Sequence, residues 1–145
     1  MKTKNIILVT ILFSALFVNC NEAKVDKSAI EGKIVALLPP CQGNGILISV
    51  ENIQNFGESG SFIYSFDSLV YYQNSIVVPY FDKSIEGGNK IPSLLSDGDE
   101  LIFECRIKTD ADDSLFYSNI VCNMDLIPPS APRYIITKII SYQKK

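Results

Sequence analysis

The chain has 145 residues, four cysteines, no tryptophan and no histidine, and a formal charge of −3. That length is enough for one domain. Without histidine the commonest general base, the usual activator of a serine or cysteine nucleophile and the commonest transition-metal ligand are all missing, which excludes Ser–His and Cys–His catalysis and His-bearing zinc sites.

The first element is a leader. Met1-Lys2-Thr3-Lys4-Asn5 is polar and doubly basic, and an uncharged run of 13 residues follows from Ile6 to Val18. A membrane-spanning helix needs ~20 apolar residues. A basic start and ~7–15 apolar residues is instead the form of a secretory signal. The run ends at Leu16-Phe17-Val18-Asn19-Cys20. This stretch resembles the cleavage region of bacterial lipoproteins, and the resemblance covers about the first 20 residues. It implies that residues 1–19 are a signal peptide. It also implies that Cys20 becomes the first mature residue, its sulfur carrying diacylglycerol and its amine an acyl chain such as palmitate. Asn19 departs from the pattern, because lipoproteins usually have Gly, Ala or Ser there. The alternative, ordinary cleavage with Cys20 left as a thiol or disulfide partner, lacks a small–x–small site around Asn19-Cys20-Asn21.

Removing 19 of 145 residues leaves 126, and losing Lys2 and Lys4 takes the side-chain charge from −3 to −5. Two or more acyl chains make a lasting membrane anchor. Asn21, not Asp, follows the cysteine; by resemblance to lipoprotein sorting in Gram-negative bacteria, this points to the outer membrane of the cell envelope. Residues 20–28 read as a tether, its last eight residues giving a reach of ~15 Å. Residues 29–145 form the expected domain.

From Ala29 on, short runs of Ile, Val, Phe and Tyr alternate with Gly, Pro, Asn, Asp and Ser clusters, the pattern of strands and turns. The expected strands are Gly32 to Leu38, Ile46 to Val50, Ser75 to Phe81, Glu100 to Ile107, Leu115 to Cys122 and Tyr134 to Ser141. Phe62 to Tyr72 is mixed. In the clearest strand Leu101, Phe103, Cys105 and Ile107 should face the core, with Ile102, Glu104 and Arg106 facing water. The expected fold class is all-β. A small barrel of five to seven strands is one form, and a β-sandwich is the alternative. Gly32-Lys33-Ile34-Val35, Asp97-Gly98-Asp99-Glu100 and Ile135-Ile136-Thr137-Lys138-Ile139 loosely resemble the corresponding parts of oligonucleotide/oligosaccharide-binding (OB) barrels in small secreted lipoproteins.

With Cys20 lipidated, Cys41, Cys105 and Cys122 remain, and an exported domain is expected to form one disulfide. Cys105 lies on the inward face of a strand, where a thiol behaves as a small hydrophobe. The expected pair is Cys41–Cys122, with Cys105–Cys122 as its rival. No pair has the short spacing of zinc sites, and no cofactor or metal is expected.

Asp110-Ala111-Asp112-Asp113-Ser114 has alternating carboxylates, as calcium loops do. Leu115 stands where such a loop needs glycine and Val121 where it needs a bidentate glutamate. The stretch reads as a polar tip. Eight aromatics fall between Phe56 and Phe81; of these, Tyr64, Tyr71, Tyr72 and Tyr80 are the candidate ligand-binding residues. Nucleic acid is not expected, since the domain is acidic and holds two arginines, Arg106 and Arg133. The expected protein is therefore a non-enzymatic binding or accessory domain with no catalytic residues. It is held at the membrane through its lipid anchor and has a protein or glycan partner. The alternative is a small envelope hydrolase or inhibitor using carboxylates and tyrosines, which two carboxylates across a cleft would favour.

Overall fold

The apolar runs become six strands in a computed structural model that describes residues 29–65, 68–82, 84–116 and 127–145. They are β1 (Ile30–Leu38), β2 (Gly45–Val50), β3 (Glu58–Ser65), β4 (Ser68–Pro79), β5 (Glu100–Ile107) and β6 (Tyr134–Gln143). All belong to one antiparallel sheet in the order β3-β4-β2-β1-β5-β6, so the domain is all-β. The sheet is not closed. It does curl: a parallel bridge joins Val77 of β4 to Arg133, just ahead of β6, and the Val77 N–H donates to the Pro132 carbonyl at 2.9 Å. The expected signal peptide, Cys20 and the tether lie outside the described residues.

Two bulge-like irregularities decide which side chains meet. In β1, Ile34 opposes Ile48, but Ala36 opposes Leu47. Side chains alternate along a strand, so one extra residue swaps every later side chain to the other face. Ile30 and Ile34 therefore join a first core with Ile48, Val78, Leu101 and Phe103. Beyond Val35, Ala36 and Leu38 turn into a second core with Leu47, Phe62, Tyr72 and Val77. β2 is buried on both faces, Ile46 and Ile48 in the first core and Leu47 in the second.

The second irregularity is at Asn74, whose φ of +43° puts a left-handed residue within β4. The end of β4 pairs with β2 and its beginning with β3, with a register shift between Glu58 and Gly60. Past Asn74, Ile76 and Val78 face the first core; before it, Val70 and Tyr72 face the second. The β3–β4 hairpin thus packs over the outward face of β1 and β2. Tyr64 donates its hydroxyl to the Leu37 carbonyl at 3.2 Å, and Gln42 Nε2 donates to the Ile63 carbonyl.

Several element bounds differ from the sequence reading. The mixed stretch from Phe62 to Tyr72 is the turn-proximal part of this hairpin. Ile107 is 61% exposed, because β5 runs past the core after a register shift between Glu104 and Cys105. Leu115 ends a 3-10 turn, Asp110–Leu115, and does not begin a strand. Residues 117–122 of that expected strand, Cys122 included, lie outside the described residues.

The free edge of β6 is covered by residues 86–90. Ile139 donates its N–H to the Glu86 carbonyl at 2.7 Å, and Lys90 Nζ donates to the Ile140 carbonyl at 2.6 Å. Gly87 makes this approach possible: its φ is +79°, and a Cβ there would collide with the Ile139 carbonyl oxygen. Gly87→Ala is expected to lower stability by about 2 kcal/mol, from left-handed backbone cost and displacement of the edge cover. Urea unfolding midpoints measure the change.

Candidate functional site

The four candidate tyrosines separate into three environments. Tyr72 is 4% exposed and belongs to the second core, its hydroxyl 3.1 Å from that of Ser130. The shift at Asn74 turns it inward. Tyr64 and Tyr80 lie close together and act as struts. Their hydroxyls donate to the adjacent carbonyls of Leu37 (3.2 Å) and Leu38 (3.0 Å). Burial, and then the nearby Tyr64, raise the Tyr80 hydroxyl above its ordinary value. Tyr71 is on the opposite face of the hairpin and is 74% exposed.

Tyr71 has apolar company there. Ser61 lies opposite it on β3, and Ile63 lies opposite Leu69. Ile63 and Leu69 are 52% and 50% exposed. Alternation along β4 puts Leu69, Tyr71 and Gln73 on one exposed face. Next to Gln73 an open cleft of about 310 Å³ is lined by Gln54, Asn55, Ser59, Gln73 and Asn74. The side-chain amides of Gln54, Asn55 and Gln73 make no hydrogen bond with any described residue. The strip formed by Ser61, Ile63, Leu69, Tyr71 and Gln73 carries no charge. Exposed apolar groups gathered on one face mark interaction surfaces more than scattered ones do.

Sequence reading missed Ile63, Leu69 and the three amides. For Leu69 and Gln73 the signal was present as period two in Leu69-Val70-Tyr71-Tyr72-Gln73. Leu69 and Tyr71 alternate there with Val70 and Tyr72, both pairs being apolar, so the pattern does not say which faces out.

Two other clefts are lined by described residues. One, of about 210 Å³, is lined by Glu31, Glu51 and Glu100 together with Ser141 and Gln143. These three carboxylates are solvent-exposed. The other, of about 220 Å³, is an apolar crease between Tyr80, Phe81, Ile91, Pro92 and Leu95.

The acidic tip is occupied from within. Arg106 grips Asp112 with two bonds of 2.7 Å, and Thr109 adds its N–H (2.9 Å) and hydroxyl (2.8 Å). The Arg106 fork, followed by the Thr109 donors, holds the Asp112 carboxyl well below the usual range. Asp113 pairs with Lys108. No cluster of three or more metal-ligating side chains occurs among the described residues.

Cys105 is a free thiol packed against the first core, and burial pushes it up to about 12. A thiol so held is a poor nucleophile. Among the described residues no helix is long and apolar enough to cross a membrane. No protein-family model matches this sequence, and comparison with curated proteins finds no relative.

Proposed function

We propose that the chain is a bacterial envelope lipoprotein, anchored through acylated Cys20, whose β-domain binds a partner and carries out no chemistry. The observation that carries the anchor is the start itself: a doubly basic pentapeptide, 13 uncharged residues and then Cys20. The exposed Tyr71 face with its neighbouring amide cleft supports binding as the activity, since it offers contact surface without a nucleophile or base. We infer further that the sheet curls toward an OB-like barrel, which the bridge from Val77 to Arg133 supports. We also infer that Cys41 pairs with Cys122, which Cys105 being a free, core-packed thiol supports. Outer-membrane placement rests on Asn21.

Cys20→Ala is expected to abolish labelling by radioactive palmitate and move the protein from the membrane to the soluble fraction. Two acyl chains or more contribute too much binding for partial release. Membrane retention of Cys20→Ala without label would refute the anchor. The hydrolase alternative draws on the Glu31–Glu51–Glu100 cleft. Turnover of a glycoside or ester that disappears in Glu100→Gln would favour it over binding.

A further inference from the structure

We propose that the outer face of the β3–β4 hairpin, centred on Tyr71 and running into the Gln54–Asn55–Gln73 cleft, binds an uncharged glycan chain. This rests on the reading of the domain as a binding module and names its ligand class. A sugar ring has an apolar C–H face and a rim of hydroxyls. Tyr71 presents a flat, 74% exposed ring to the first, with its own hydroxyl at the edge. For the second, each amide of Gln54, Asn55 and Gln73 brings two donors and an acceptor oxygen, and none of them is spent within the described protein. Tyr71 and Gln73 are two residues apart on one strand and share a face, so their Cα atoms are ~7 Å apart. Ring and amide therefore serve neighbouring parts of a single chain.

Charge argues the same way. The strip carries no cation, so polymers bearing phosphate, sulfate or carboxylate groups find no partner on it. Area argues against a permanent protein partner. Three apolar side chains, half to three-quarters exposed, offer roughly half of the ~800 Å² per partner that a standard interface buries. The surface is open and not enclosed, which suits a polymer lying across it better than a small molecule held on all sides.

The test uses full-length protein extracted from membranes in detergent and applied to an array of neutral, acidic and aminated oligosaccharides, including glucan, mannan, xylan and galactan hexamers. The best-retained neutral hexamer is then titrated calorimetrically into the wild type, Tyr71→Ala and Gln73→Ala. The expected result is retention of neutral glycans, at least tenfold weaker binding for Tyr71→Ala and about threefold weaker binding for Gln73→Ala. The unfolding midpoint of Tyr71→Ala should be unchanged. Retention of no neutral glycan, retention of charged glycans alone, or neutral binding indifferent to Tyr71→Ala would each overturn the proposal. Capture of a protein through Tyr71 in place of a glycan would overturn the ligand class and leave the binding-module reading standing. Palmitate labelling at Cys20 is scored separately.

Discussion

Asp99→Ala is expected to lower the stability of the domain by about 3–5 kcal/mol, a fall in Tm of roughly 10–20 °C. Asp99 ends the turn that leads into β5 and is fully buried. Its Oδ2 accepts from the Ser96 N–H at 2.8 Å and from the Tyr142 hydroxyl, and its Oδ1 accepts from the Lys145 N–H at 3.0 Å. Its backbone carbonyl takes the Ile34 N–H at 2.8 Å, and the preceding Gly98 N–H returns a bond to Ile34. One residue thus ties β1, the turn before β5 and the end of β6. Truncation to alanine leaves three donors around the missing carboxylate. Leaving buried polar groups unpaired costs more than the net value of the bonds themselves.

The same carboxylate makes stability depend on pH. Burial alone would raise Asp99, but the Tyr142, Lys145 and Ser96 donors outweigh it and hold the group below its ordinary value. The folded value lies beneath the unfolded one, so the contribution is complete above about pH 4 and is lost as pH falls through the lowered value. Asp112 adds to this acid limb, because the Arg106 fork depresses it too. Tyr142 governs the other end. Burial, then its bond to Asp99, raises its hydroxyl above the ordinary range. Its contribution is complete below about pH 10 and is lost as pH rises through the raised value. Urea midpoints measured from about pH 2 to 11 should therefore show a plateau that falls at both ends. Asp99→Asn should make the acid limb shallower, and Tyr142→Phe should make the alkaline limb shallower. An acid limb identical in wild type and Asp99→Asn would remove Asp99 from this account.

The sequence carried the strands well and the faces poorly. Leu101 and Phe103 alternate with Ile102 and Glu104, and the first pair is buried as period two requires. Pro79 ends β4, where its missing N–H does no harm. What composition does not show is where a strand changes face. Val35 and Asn74 are ordinary residues in the sequence, yet each marks a register shift that redirects the side chains before or after it. Tyr72 looked like its neighbour Tyr71 for this reason. The two are adjacent in the chain and on opposite faces of the hairpin, one in the second core and one in solvent. The amide cleft was less legible still, because Gln54 and Asn55 come from the β2–β3 connection and reach Gln73 only once the hairpin has folded over.

Asn74→Ala tests that folding-over directly and is expected to cost about 3 kcal/mol. The Asn74 side chain is a staple. Nδ2 donates to the carbonyls of Val50 (2.7 Å) and Ile53 (2.6 Å), and Oδ1 accepts the Gly57 N–H at 2.9 Å. Its own N–H donates to the Ser59 hydroxyl at 3.0 Å. The bend therefore fastens the end of β2, the following loop and the start of β3 at one point. The φ of +43° adds a second demand, since asparagine tolerates the left-handed region better than alanine. Alanine loses both the staple and the backbone tolerance. Glycine loses the staple alone, so Asn74→Gly should cost about 1 kcal/mol less than Asn74→Ala. Asn74→Asp keeps the acceptor for Gly57 but sets an anionic oxygen against two carbonyls, and should recover partly in acid as the new carboxyl gains a proton to donate. Unfolding midpoints rank the three variants. Near-ultraviolet circular dichroism reports whether Tyr72 and Phe62 stay packed in the second core. If Asn74→Ala unfolds within about 0.5 kcal/mol of the wild type with that signal intact, the hairpin is held by the apolar contacts of the second core and the amide is dispensable.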